Sequence, residues 1–206
     1  MIAMLTPALV ALLVARVQGR SLTSLGQERI AWGTLGIVGL VVELVMSGSV
    51  LGEQPFILTW GSAIWMAALV AMAATLARNA VLRSGTARLM WAAAALGVTL
   101  NIAVVAANGG HMPQSQTARI AAGASIERVA GLASTPGWRN IEPMTSETQL
   151  WWLGDILPEP AFLPLRNVMS IGDLWVAFGL AGAAFLATGS RRLAIDSLSA
   201  PALAAS

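Results

Sequence analysis

The sequence predicts an all-α, polytopic membrane protein: five transmembrane helices and a structured outer loop containing short interfacial helices. Three observations predict it. Only 11% of the 206 residues are charged, against about 25% in an average soluble domain, too few to cover a globular surface. Hydrophobic residues reach 56% and mean hydropathy is +0.72, so lipid must supply solvation that polar side chains supply elsewhere. Five stretches approach the about 20 apolar residues that a spanning helix requires.

The spans are expected over residues 1–15, 30–46, 56–77, 89–107 and 170–188. The first is short but uncharged, and no positive segment precedes its apolar run, so it reads as a retained span rather than a cleaved signal peptide. Glu43 alone interrupts the second, the third is clean, and Asn101 alone marks the fourth. Residues 1–195 thus form one membrane domain, and 196–206, small and polar, a flexible cytoplasmic tail. Short connections between the first four spans imply an antiparallel bundle. Small residues recur in the second span (Gly33, Gly36, Gly39) and the fifth (Gly179, Gly182, Ala183). Such stripes let helices approach closely in lipid, although glycine and alanine are frequent throughout this chain.

Arginine placement sets the orientation. Arg16, Arg20, Arg29, Arg78, Arg83, Arg88, Arg191 and Arg192 fall on one side, opposed only by Glu28 and Asp196. The other side carries Glu53 and an outer loop, 108–166, with four arginines against Glu127, Glu142, Glu147, Asp155 and Glu159. The positive-inside rule then predicts a multi-pass protein of the bacterial inner membrane, with the amino terminus and long loop outside and the carboxy terminus cytoplasmic. Cysteine is absent, which excludes disulfides and thiol chemistry. The basic residues are all arginine and scattered, so no nucleic-acid partner is expected.

An outer loop of this length carries structure or function. Its segment QTARIAAGASIERVAGLA is expected to form one weakly amphipathic helix lying in the interface. In SETQLWWLG, Ser146 with Gln149 fits a capping box and Gly154 a helix stop. Trp151, Trp152, Trp60 and Trp65 are expected at headgroup level.

Three polar motifs, NGGHMP from Asn108, LGD ending at Asp155 and NVMSIGD from Asn167, all map to the outer face. Asn108, Gly109 and Gly110 suit a helix end, which Pro113 keeps from resuming. His111 is the only histidine, and without cysteine or a His-x-x-x-His spacing no metal or other cofactor is expected. Ser170 and Asp173 form a capping-box pattern, with the carboxylate at the positive end of the helix dipole. That accounts for neither Asn167 nor Asp155. Glu43 is an intramembrane acid, which ordinarily faces a bundle interior and finds a partner, Asn101 being a candidate.

On these motifs the chain resembles a bacterial family of integral membrane proteins of unknown function. The resemblance covers most of the sequence and implies a fold and a membrane address but no activity. A looser analogy runs to lipoprotein signal peptidases, membrane aspartic peptidases with an outer-face Asn-x-Gly motif and two later aspartates. Asn108-Gly109-Gly110, Asp155, and Asn167 with Asp173 follow that order. The spacing departs, because Asp173 stands six residues after Asn167 where those enzymes have three, and Asp155 sits in LGDILP rather than in a GNxxDR element.

Three functions follow as expectations. The first is a non-catalytic membrane protein that packs with lipid and with a membrane-protein partner or further copies, as an accessory or structural subunit of a larger complex. The second is a membrane-embedded aspartic hydrolase using Asp155 and Asp173, since two carboxyls sharing a proton can activate water. The third is a carrier for a lipid or small solute with Glu43 in its cavity.

Overall fold

Each apolar run of the sequence becomes a helix. In the computed structural model, which describes residues 2–46, 51–131, 136–160 and 167–188, five apolar helices result: α1 (Ile2–Val17), α2 (Gly33–Met46), α3 (Pro55–Val81), α4 (Gly85–Ala107) and, last in the chain, α7 (Ile171–Ala187). α3 and α4 overshoot the expected spans, because Arg78, Asn79 and Arg88 end the apolar stretch without ending the helix. Two of the five, α3 and α4, are long and apolar enough to cross a membrane; the other three are shorter. Only 28% and 44% of their most apolar windows are buried, so this apolar surface is mostly outside the protein's own core. Pro164, Arg166, Arg191, Arg192 and the expected tail lie outside the described residues.

The helices pack as a row in the order α2, α3, α4, α7, α1. Glycine makes its closest contacts possible. A Cβ on Gly97 would stand 2.7 Å from the Val176 nitrogen, and one on Gly179 would stand 2.5 Å from the Met90 carbonyl, so α4 and α7 meet backbone to backbone. On α2, a Cβ at Gly36 or Gly39 would meet Thr75 or the Ala68 carbonyl of α3 at 2.9 Å. Gly36, Gly39, Gly179 and Gly182 therefore join helices of this chain to one another, while a Cβ on Gly33 would meet only Ile30.

Arg20, just beyond α1, donates to the Thr188 hydroxyl at 2.6 Å and the Thr188 carbonyl at 2.5 Å, with its guanidinium 4.6 Å from the centre of the Phe185 ring. The ends of α1 and α7 thus coincide, and the two helices run parallel. The chain then crosses the base of the row to reach α2. The fully buried Asn79 bonds both the N–H and the carbonyl of Ala31, at 3.0 and 2.8 Å. Arg83 pairs with Glu28 at 2.5 Å and lies 4.6 Å over the Trp91 ring.

At the opposite end a cap joins α4 to α7. β1 (Met112–Gln114) pairs in parallel with β2 (Ile141–Pro143), and β3 (Leu157–Pro158) pairs antiparallel with β4 (Val168–Met169). Neither pair was expected, since strands this short are held by the bundle that brings them together. The expected single amphipathic helix is two short ones, α5 (Gln116–Ala121) and α6 (Ile126–Gly131). Gly123, in the left-handed region at φ +99°, lies between them. The Ser146–Gln149 capping box does not form: residues 146–147 and 149–150 are turns and a 3₁₀ turn spans Trp151–Leu153. Trp60, Trp151 and Trp152 are exposed as expected of anchors, but Trp65 is buried against Trp138, edge to face at 6.3 Å.

Candidate functional site: a buried polar cluster under the cap

Asn108 ends α4, and Gly109 and Gly110 follow at φ +66° and +89°, where an L side chain is strained. The Gly110 N–H returns to the Val105 carbonyl at 2.9 Å, a left-handed helix termination. The Asn108 side chain does more than cap. Its amide donates to the Gln149 carbonyl at 2.9 Å and its oxygen accepts the Gln149 N–H at 2.9 Å, clamping the Trp151 turn to the helix end. His111 Nδ1 lies 2.6 Å from the Arg139 carbonyl. A carbonyl only accepts, so Nδ1 carries the proton. Nε2 lies 3.5 Å from the Glu142 carboxylate.

LGD is drawn in through the backbone. The Asp155 N–H donates to the Pro113 carbonyl at 2.9 Å, the Asp155 carbonyl accepts from Ser115 at 2.8 Å, and the Ile156 N–H reaches the Met169 carbonyl at 3.1 Å. Asp155 is therefore held between the NGGHMP strand and the NVMSIGD strand. Its carboxyl accepts from Gln114 Nε2 at 3.0 Å, and Arg119 Nη1 donates to Gln114 Oε1.

SIGD supplies the rest. Ser170 and Asp173 form the expected capping box, with Ser170 N–H to the Asp173 carboxyl at 2.9 Å and Asp173 N–H to the Ser170 hydroxyl at 3.0 Å. Asn101 from α4 then donates to Asp173 Oδ1 at 2.8 Å and accepts from the Ser170 hydroxyl at 2.9 Å. Capping and clustering are the same contacts. Gly172 permits this, because a Cβ there would stand 2.6 Å from the Gly97 carbonyl and 2.7 Å from Asn101 Cγ.

The two acids share one buried environment: Asp155 is 7% and Asp173 6% exposed. Burial, and next the nearby Asp173 carboxylate, push the Asp155 carboxyl well above its ordinary range, against the lowering pull of Gln114 and Arg119. Beside Gln114, Arg119 and Glu142 lies a cavity of about 10 Å³, about the room that one water requires. Neither Asp155 nor Asp173 lines that cavity, so what the arrangement can do is hold a proton on the buried Asp155 carboxyl. Among the described residues no three His, Asp or Glu side chains converge as metal ligands would.

Other expected members lie apart. Asn167 is exposed and enters only through its backbone, its N–H donating to Glu159 at 3.1 Å. Glu43 is half-buried on α2, an end of the row, and its expected partner Asn101 is bonded instead to Asp173 and Ser170. Gln114 and Arg119 were missed. Nothing in their local sequence distinguishes them from surface residues.

Residues 27–185 match DUF5317, a family of unknown function. The chain belongs to DUF5317. The matched region begins after α1 and ends within α7, so it contains every residue of the buried cluster and the start of each helix that carries one. Membership agrees with the expected family without an assigned activity. No curated protein and no solved structure matches the chain.

Proposed function

We propose that the protein is a non-catalytic, five-span membrane protein of the bacterial inner membrane that serves as a structural or accessory subunit of a larger assembly. The observation that carries this reading is the apolar surface at the ends of the row. α2 presents Ile37, Val38 and Val41 and α1 presents Leu9, Val10 and Leu13, all at least half exposed. Such faces are stable only against lipid or another apolar helix. Gly36, Gly39, Gly179 and Gly182 are occupied inside the chain, so a partner helix would meet mainly aliphatic side chains. The polar cap supports a structural role, because its side chains bond one another. α1 and α7 start at the same end, opposite the arginine-rich base, which fits an exterior amino terminus. Purification in a mild detergent is expected to retain a defined membrane partner or a stable oligomer; a clean monomer from native membranes would refute the reading.

A second reading rests on Asp155 and Asp173. Two neighbouring buried carboxyls, one pushed up in part by the other, are the elements of a proton-sharing dyad. A membrane aspartic hydrolase of this kind predicts that Asp155→Asn and Asp173→Asn each abolish cleavage of some membrane peptide while the protein stays folded. Identical peptide profiles in wild type and both variants would dispose of it.

A further inference from the structure

The described base of the row holds six arginines, Arg16, Arg20, Arg29, Arg78, Arg83 and Arg88, against Glu28. Within it, between the α3–α4 turn and the end of α7, lies a groove of about 420 Å³. Trp91, Ala183 and Leu186 form apolar wall, and Arg83, Glu28 and Ser84 form the polar part. The Arg83 guanidinium is fixed by stacking 4.6 Å over Trp91 and by a 2.7 Å bond to Asn79. Its Nη2 donates to the Arg29 carbonyl at 3.3 Å and to Glu28 at 2.5 Å, and the Glu28 side chain is 40% exposed against 14% for Arg83. A surface carboxylate thus occupies the place where another anion can bind a pre-oriented arginine.

We propose that this groove binds the phosphate headgroup of an anionic phospholipid of the surrounding bilayer. The phosphate displaces or shares Arg83 with Glu28, and the glycerol and first methylenes lie along Trp91, Ala183 and Leu186. Basic pockets between membrane helices take anionic headgroups in this way, and the surplus of arginine selects them over zwitterionic ones. The inference rests on the membrane reading above: the groove lies at headgroup level only if α3 and α4 span the bilayer.

The test uses the full chain in nanodiscs containing brominated phosphatidylglycerol or brominated phosphatidylcholine. Trp91 quenching is read as the difference between wild type and Trp91→Phe. The phosphatidylglycerol is expected to quench Trp91 more strongly. Arg88→Gln, an exposed arginine one turn from Ser84, should weaken binding about fivefold, the attraction of one arginine near a membrane surface. Glu28→Gln should tighten it by a similar factor. Native mass spectrometry of retained phosphatidylglycerol in wild type, Glu28→Gln and Arg88→Gln gives the same ranking without the tryptophan variant. Equal quenching by both lipids, no quenching of Trp91, or unchanged retention in both charge variants would overturn the proposal. A chain that fractionates away from membranes would instead overturn the membrane reading itself.

Discussion

Replacing Asn101 with leucine tests whether the buried cluster holds the cap to the row. Asn101 is 8% exposed, and its partners Asp173 and Ser170 are 6% and 0% exposed. The substitution keeps the branched outline of the side chain, with bulkier methyls, and removes the donor to the Asp173 carboxyl and the acceptor of the Ser170 hydroxyl. Each buried polar group left without its partner costs about 1–3 kcal/mol, more for a charged one. Added leucine burial returns about 1 kcal/mol, and the Ser170 hydroxyl keeps its bond from the Asp173 N–H. The net loss is expected to be about 1–5 kcal/mol, read by reversible unfolding in mixed micelles. Combining Asn101→Leu with Ser170→Ala should cost less than the sum of the two, with a coupling of about 0.5–3 kcal/mol. A single-variant loss below about 0.5 kcal/mol, or additivity within about 0.3–0.5 kcal/mol, would show that the contacts do not bear the cap.

Asp155 predicts a pH dependence of defined sign. The folded chain holds its proton more tightly than the unfolded chain, so its contribution to stability falls as pH rises from about 4 through the folded pKa, then levels off. Asp155→Asn keeps an acceptor for Gln114 and abolishes that fall, so the variant should be the more stable protein at neutral pH. A wild-type-minus-variant stability difference that rises across this window would contradict the assignment. Gly97→Ala and Gly172→Ala each force a Cβ into the opposing backbone of α4 and α7 and should cost at least about 1–3 kcal/mol; wild-type melting of both would refute the close approach. Because the chain has no cysteine, single cysteines report topology directly. Glu147→Cys should react with an impermeant maleimide on intact cells and Arg88→Cys only after permeabilisation, and the reverse pattern would invert the orientation.

That the chain belongs to a family of unknown function was legible in the sequence, and the existence of five apolar helices in its hydropathy. Two local devices were legible as well. NGG terminates α4 because only a residue free to adopt positive φ lets the chain turn there, and Ser170 caps α7 because its hydroxyl reaches an N–H three residues on. The helices α3 and α4 run past the expected spans, since Arg78 and Arg88 change the solvent a helix prefers without breaking its hydrogen bonds.

By itself the sequence determined what depends on neighbours within a turn or two: which stretches are helical, where they stop, and how lipid-like their surfaces are. Tertiary structure alone decided which distant surfaces meet. It assigned Asn101 to Asp173 rather than to Glu43, buried Trp65 against Trp138, closed the glycine stripes within the chain, and brought Gln114 and Arg119 to Asp155. These partners lie from five to more than seventy residues apart. Their pairing follows from the order of helices in the row and from the strands that fold over its end, and neither is written in local periodicity.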